Sequence, residues 1–237
     1  MTNMIARRLS LVALTGVVAA FQTLSGADPI LVQALAKMDQ AAAHFKGLAA
    51  NIQTDHHMEV IHEDDVQSGT ILVKRAGRNS VHVKITIDKP EQKIAIADKK
   101  KFMVYYPSSG EGQQGSVGQK SQIVDAILTL GFGGTSQELQ ADYKVTLGGP
   151  DTVAGQSATR LGLVPKSQEM LDQWKKIDLW ISDQTGYTLQ QKFYEAGKDY
   201  NLITYTNVQP KSDIPDSAFE LNVPKGTKIE PLNNKKK

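Results

Sequence analysis

The sequence predicts a mostly β protein: one unclosed, strongly curved antiparallel β half-barrel, with an N-terminal helix and a lid helix across its open side. Three patterns lead there. About ten or eleven segments alternate apolar and polar residues, the mark of strands buried on one face and wet on the other. Only two or three segments carry the helical period of three and four. Helices so few cannot cover the sheet as a layered α/β protein requires, so the sheet must bury its apolar face by curling, with the helices plugging the gap.

The first 27 residues read as an export signal: Arg7 and Arg8, an apolar run from Leu9 to Phe21, then Ser25-Gly26-Ala27 with a small residue at each end. That run is shorter than the roughly 20 residues a spanning helix needs. Cleavage near Ala27 leaves one expected domain, residues 28–230, and a disordered basic tail, 231–237, ending in Lys235-Lys236-Lys237. The expected address is an extracytoplasmic space. The chain has no cysteine, so no disulfide framework, thiolate metal site or lipidated Cys is available to it.

Asp28-Pro29 opens a helix as N-cap and first helical residue. Leu31, Leu35, Met38, Ala42 and Phe45 form its apolar stripe, and Gly47 is read as the left-handed cap that ends it. The period then switches to two. Ile52, Thr54, His56, Met58 and Val60 share one strand face, His62–Asp65 is read as a charged turn, and Thr70–Lys74 forms the next strand. Val81–Asp88 alternates most cleanly, with four branched apolar residues on one side and His, Lys, Thr and Asp on the other. Ile94, Ile96 and Phe102–Tyr106 continue a meander. Residues 107–120, rich in Gly, Ser and Gln, read as a mobile loop before a lid helix over 122–130, with Ile123, Ile127 and Leu130 on one side. A shorter helix is expected over Ser136–Tyr143. Strands follow at Lys144–Leu147, Ser157–Val164, Ile177–Ser182, Tyr187–Tyr194 and Tyr200–Val208, with Gly149-Pro150-Asp151 read as a turn and a helical turn near Leu171 and Trp174.

A sheet of this size curls around a volume that its aliphatic residues need not fill, so an apolar cavity is expected. Its candidate lining is Leu35, Ile71, Val73, Val81, Val83, Ile85, Ile123, Ile127 and Leu179.

Charge and motifs bound the function. The 27 basic residues lose Arg7 and Arg8 with the signal and then balance the 25 acidic ones, which leaves no electrostatic footprint for nucleic acid. His56, His57, Glu59 and His62–Asp65 hold metal-ligand residue types, yet neighbouring strand residues point to opposite faces, so a polar hairpin tip is the better reading than a metal site. Gly110-Glu111-Gly112-Gln113-Gln114-Gly115 matches the dinucleotide fingerprint in letters only. Its helix starts several residues too late, and no parallel strand with a ribose-binding acid follows. No Gly-x-Ser-x-Gly is present and every His lies in the first half, so no catalytic set and no cofactor is predicted. Arg75 stands apart. It shares a strand face with Ile71 and Val73, so its guanidinium either meets carbonyls of a helix lying over the sheet or snorkels to solvent.

Several stretches run in a telling order: Phe45-Lys46-Gly47; the polar strand Ala50–Val60; Ser68–Arg75; Asp98 with Phe102–Pro107; Leu179–Tyr187; Ile214–Leu221; and Pro224-Lys225-Gly226. In that order, across nearly the whole chain after the signal, they resemble the outer-membrane lipoprotein carrier family (LolA-like). Ala76 follows Arg75 where the family usually has Pro, and Asn79, Val81 and Val83 occupy a region where it usually has aromatics. The resemblance narrows the address to the periplasm and implies a cavity for acyl chains and a monomeric carrier of acylated lipoprotein or lipid cargo. It also implies two partners, an inner-membrane ABC lipoprotein-release transporter and an outer-membrane acceptor. Arg75 falls on the family's basic residue that locks the lid without cargo. A sensor or scaffold on the same fold is the alternative; such proteins usually carry a second domain, for which this chain is expected to have no room.

Overall fold

The computed structural model describes residues 28–77, 80–98, 100–116, 130, 132–195 and 197–231. Helix α1 (Pro29–His44) starts where the Asp28 carboxylate accepts the Ile30 amide at 2.9 Å and buries Ala34, Met38 and Ala42. It stops because Phe45 is already extended, and Gly47 opens the first strand. The expected left-handed cap at Gly47 is therefore corrected. Gly47 serves close approach: a Cβ there would lie 2.7 Å from the Val73 carbonyl and 2.8 Å from Ile214 Cδ1.

Strands β1 (Gly47–Met58) and β2 (Glu63–Gly77) form a long central hairpin. Its turn is Glu59–His62, not the expected His62–Asp65, with His62 at φ 52°. The meander continues as β3 (Ser80–Lys89), β4 (Lys93–Ala97), β5 (Lys101–Tyr106) and β6 (Glu111–Ser116). Strand β6 corrects the expected loop over 107–120. Its Gly and Gln side chains give no apolar alternation, but its backbone pairs with β5 from Tyr106–Glu111 to Lys101–Ser116. Of the lid helix expected over 122–130, only Leu130 is among the described residues. It is fully buried, and its carbonyl accepts the Thr188 hydroxyl at 2.6 Å.

Helix α2 (Ser136–Asp142) has a reciprocal capping box between Thr135 and Glu138. Then follow β7 (Tyr143–Val153), β8 (Gln156–Pro165), α3 (Gln168–Gln173), β9 (Lys176–Ser182), β10 (Thr188–Tyr194) and β11 (Tyr200–Pro210). The turn expected at Gly149-Pro150-Asp151 lies inside β7. Gly149 sits at an irregularity opposite Arg160, and Pro150 is tolerated because β7 is an edge strand. After β11 the chain crosses the convex face. A 3-10 turn (Asp216–Phe219) is held by Lys74 Nζ on Asp216 at 2.6 Å and Lys84 Nζ on the Ala218 carbonyl at 3.1 Å. Strand β12 (Lys228–Pro231) ends the described chain, and its Pro231 pairs with Gln114.

The twelve strands form one sheet in the order β12-β6-β5-β4-β3-β2-β1-β11-β10-β9-β8-β7. All neighbours are antiparallel except β12 and β6. With β12 at one edge and β7 at the other, the barrel is unclosed. A single core cluster joins Val83 and Ile87 of β3 to Leu161 and Leu163 of β8. Those strands are six steps apart, roughly 29 Å in a flat sheet at the ~4.8 Å interstrand spacing. They share a core because the sheet curls into a trough and α1 lies in it, against β7, β8 and α2.

Candidate functional site

Four cross-strand rows on the concave face build the site. The first is Tyr205–Ile52–Gly69–Ile87–Lys93 and the second Ala50–Ile71–Ile85–Ala95. The third is Gln191–Ile203–Thr54–Gln67, and the fourth Phe193–Asn201–His56–Asp65. Directly paired residues point to one face, so each row lies side by side on the trough wall. Ala95 is small among these large aliphatic residues and leaves space that they do not fill, whereas Gly69 serves close approach, since a Cβ there would run into the Thr86 carbonyl.

The result is a cavity of about 430 Å³. Ile52, Ile71, Ile85, Ile87 and Ile203 line it, with Tyr205 beside Ile52 in the same wall and the packed rings of Phe193 and Trp174 along its border. One end is polar, with Thr54, His56, Asp65, Gln67, Lys93 and Asn201. Asp65 is exposed and the other five are half-buried, so this end is the mouth. Tyr205 is fully buried, which pushes its hydroxyl far above the usual phenol range; it faces the Gln191 amide oxygen at 3.5 Å. The Gln191 amide nitrogen has no partner among the described residues.

Arg75 lies at the opposite end, about 33 Å from Asp65 along β2 at ~3.3 Å per residue. It does not snorkel. Its Nε donates to the Phe45 carbonyl at 3.1 Å, and one terminal nitrogen reaches the Gly133 carbonyl at 3.0 Å and that of Ala42 at 3.4 Å. The guanidinium also stands 5.5 Å from the centre of the Phe45 ring. Its acceptors are carbonyls at the C-terminus of α1, where the helix dipole favours a cation, plus one from the segment before α2. Gly133 has φ 84°, and a Cβ there would meet Phe45 Cδ1 at 2.7 Å and the guanidinium at 2.9 Å.

The candidate lining residues divide accordingly. Ile71 and Ile85 line the cavity. Val73, Val83 and Leu179 are instead packed in the buried core, and Leu35 and Val81 lie half-buried against it. At the Arg75 end Leu48, Phe132 and Leu130 are buried in the core cluster. Ile123 and Ile127 lie outside the described residues. Sequence reading missed Ile52, Ile87, Ile203, Phe193, Tyr205, Trp174 and Lys93. The alternation of β1 and β3 already turns Ile52 and Ile87 inward, but nothing local marks the others.

At the hairpin tip, His57 Nδ1 lies 2.6 Å from an Asp64 carboxylate oxygen and Nε2 lies 3.2 Å from Glu59. The ring stacks on Tyr200 at 4.9 Å, and Lys192 stands over that tyrosine at 3.5 Å. These bonds to Asp64 and then Glu59 raise the His57 pKa above its ordinary value. Both ring nitrogens are thus engaged, and no group of three metal-ligating side chains is assembled among the described residues. Beside the mouth, Val60 is 89% and Ile61 55% exposed. A larger groove of about 590 Å³ lies on the convex face beneath the C-terminal segment, lined by Ile96, Met103 and Phe219 with His82, Lys101 and Asp216. The concave cavity is the candidate site because the inner apolar face of the sheet forms its wall. No described helix is long and apolar enough to cross a membrane.

An unclosed twelve-stranded sheet curled around an internal apolar cavity defines a class of fold that can hold an apolar ligand on its concave face. The chain belongs to the LolA family, whose model, "Outer membrane lipoprotein carrier protein LolA", matches residues 43–222. No curated protein matches it. Solved structures of similar fold include MucB, at 12% identity and TM-score 0.53 over 83% of this chain and 64% of MucB. An uncharacterised conserved protein from Thermus thermophilus is similar at 10% identity and TM-score 0.53 over 85% of this chain and 99% of that one. The lipoprotein LppX of Mycobacterium tuberculosis is similar at 14% identity and TM-score 0.50 over 79% of this chain and all of its own. The chain thus spans less than two thirds of MucB's length.

Proposed function

We propose that this protein is a periplasmic carrier, not an enzyme, that takes acyl chains of lipoproteins or related lipids into the concave cavity and shuttles them from the inner to the outer membrane. The carrying observation is the apolar cavity inside a family of lipoprotein carriers. Its volume suits one chain. At about 30 Å³ per non-hydrogen atom, the share of one water molecule, about 14 such atoms fit. At ~0.8 kcal/mol per buried methylene, several chains would be held too tightly to release.

A carrier must therefore limit its own affinity, and the Arg75 clamp supplies the means. It ties β2 to the end of α1 and to Gly133, which keeps the far end of the trough packed. Opening that end for more chain costs those bonds, and the cost lowers net affinity. In this reading an export signal delivers the chain, an inner-membrane ABC transporter loads it and an outer-membrane acceptor unloads it. The exposed Val60 and Ile61 offer an apolar tip beside the mouth for either encounter.

Native mass spectrometry on protein purified from a membrane-containing host tests the reading. The expected result is protein with bound lipid or lipoprotein. Protein that stays empty, and that also fails to take up added acyl lipid, refutes it.

A further inference from the structure

The mouth of the cavity carries chemistry that burial of an acyl chain does not require. Lys93 belongs to the row Tyr205–Ile52–Gly69–Ile87–Lys93, whose other members are apolar or lack a side chain. Its Nζ donates to Gln67 Oε1 at 2.7 Å, and Gln67 Nε2 donates to an Asp65 carboxylate oxygen at 2.8 Å. One ammonium and one carboxylate are thus held at opposite ends of a single amide. Neither takes part in an ion pair among the described residues. A direct Lys–Asp contact would neutralise the pair. The intervening glutamine keeps the charges apart while fixing both side chains, and all three residues line the cavity.

A hydrocarbon tail gains nothing from this arrangement, and a half-buried ammonium costs desolvation unless an anion meets it. A purely anionic headgroup would satisfy Lys93 but face the Asp65 carboxylate. A headgroup with both charges meets both. We propose that Lys93, Gln67 and Asp65 form a headgroup subsite for a zwitterionic amphiphile, with its phosphate at Lys93 and its ammonium at Asp65 while its chain lies along Ile52, Ile71 and Ile85. The proposal rests on the acyl-carrier reading and adds the class of headgroup.

The test titrates three single-chain lipids of equal chain length against the full protein: lysophosphatidylethanolamine, lysophosphatidylglycerol and monoacylglycerol. Trp174, which lines the cavity, reports binding by its fluorescence. The ethanolamine lipid is expected to bind about tenfold more tightly than the glycerol headgroup, the effect of one charge-assisted contact, and more tightly still than monoacylglycerol, which lacks both charges. Lys93→Gln should remove about tenfold of its advantage over monoacylglycerol, and Asp65→Asn should abolish its advantage over the glycerol headgroup. Asp65 is exposed and Lys93 half-buried, and a circular-dichroism melt confirms that both variants fold. Equal affinity for all three lipids, or variants that leave these ratios unchanged, overturns the headgroup subsite and leaves the carrier reading standing. Binding of none of the three overturns both.

Discussion

Replacing Arg75 with leucine removes the clamp and keeps an apolar side chain in its place. Two of its three bonds have good geometry, at 3.1 and 3.0 Å, and the third is long at 3.4 Å. Hydrogen bonds to a charged group contribute about 1.5–3 kcal/mol each. Arg75 is only half-buried, so the low end of that range applies, and the packed arrangement loses roughly 3 kcal/mol. If opening costs that much less, the apparent affinity for an acyl probe rises by up to about a hundredfold. The cargo then binds well and leaves badly. Titration of a long-chain fatty acid monitored through Trp174 should show the tighter binding, and a reconstituted transfer assay to an acceptor should show slower delivery. Arg75→Lys should fall between the two, because an ammonium cannot span the carbonyls of Phe45 and Gly133 as a planar fork does. Unchanged affinity together with unchanged transfer in Arg75→Leu would refute the clamp.

Gly133→Ala places a Cβ 2.7 Å from Phe45 and 2.9 Å from the guanidinium at φ 84°, and should lower Tm by about 3–8 °C. Combined with Arg75→Leu it should be less than additive in a double-mutant cycle, since both act on one contact. Ile85→Trp fills the cavity from its wall, so acyl-probe affinity should fall by about tenfold or more while a thermal melt stays within a few degrees of the parent. A normal affinity in that variant would place the acyl site elsewhere. For His57, whose folded pKa is raised, the stabilising contribution is complete below the unfolded value of 6.5 and is lost as pH rises through the folded value. Asp64→Asn should bring the His57 titration, followed by NMR, back toward 6.5 and remove that part of the pH dependence.

Much of the sheet was legible because strand periodicity is a local property. Val81–Asp88 alternates so cleanly that β3 could be placed with its inward face, and Asp28-Pro29 marked the start of α1. Elements failed where the local signal was missing or mimicked another. Strand β6 is built of Gly and Gln, which resemble a loop until β5 offers its edge. Gly149-Pro150-Asp151 has the composition of a turn, yet on the edge strand β7 neither the missing Pro donor nor the glycine is penalised. Gly47 resembles a helix cap, and only the proximity of Val73 and Ile214 shows why no side chain fits.

From sequence alone it followed that Ile71, Val73 and Arg75 share the inner face, because residues two apart in a strand point the same way. The curled sheet and a carbonyl-seeking guanidinium were within reach of that reasoning, and the family within reach of the order of its resembling stretches. Which inward residues meet a void was not. Ile71 borders the cavity and Val73, two residues on, is sealed in packing. The difference comes from what lies across the trough. Phe132, Leu130 and α1 fill one end, whereas Trp174, Phe193 and Tyr205 only border the cavity at the other. The filling residues belong to segments distant in the chain, and the sheet order that sets Tyr205 beside Ile52 and the curvature that brings α1 over β2 are properties of the whole sheet.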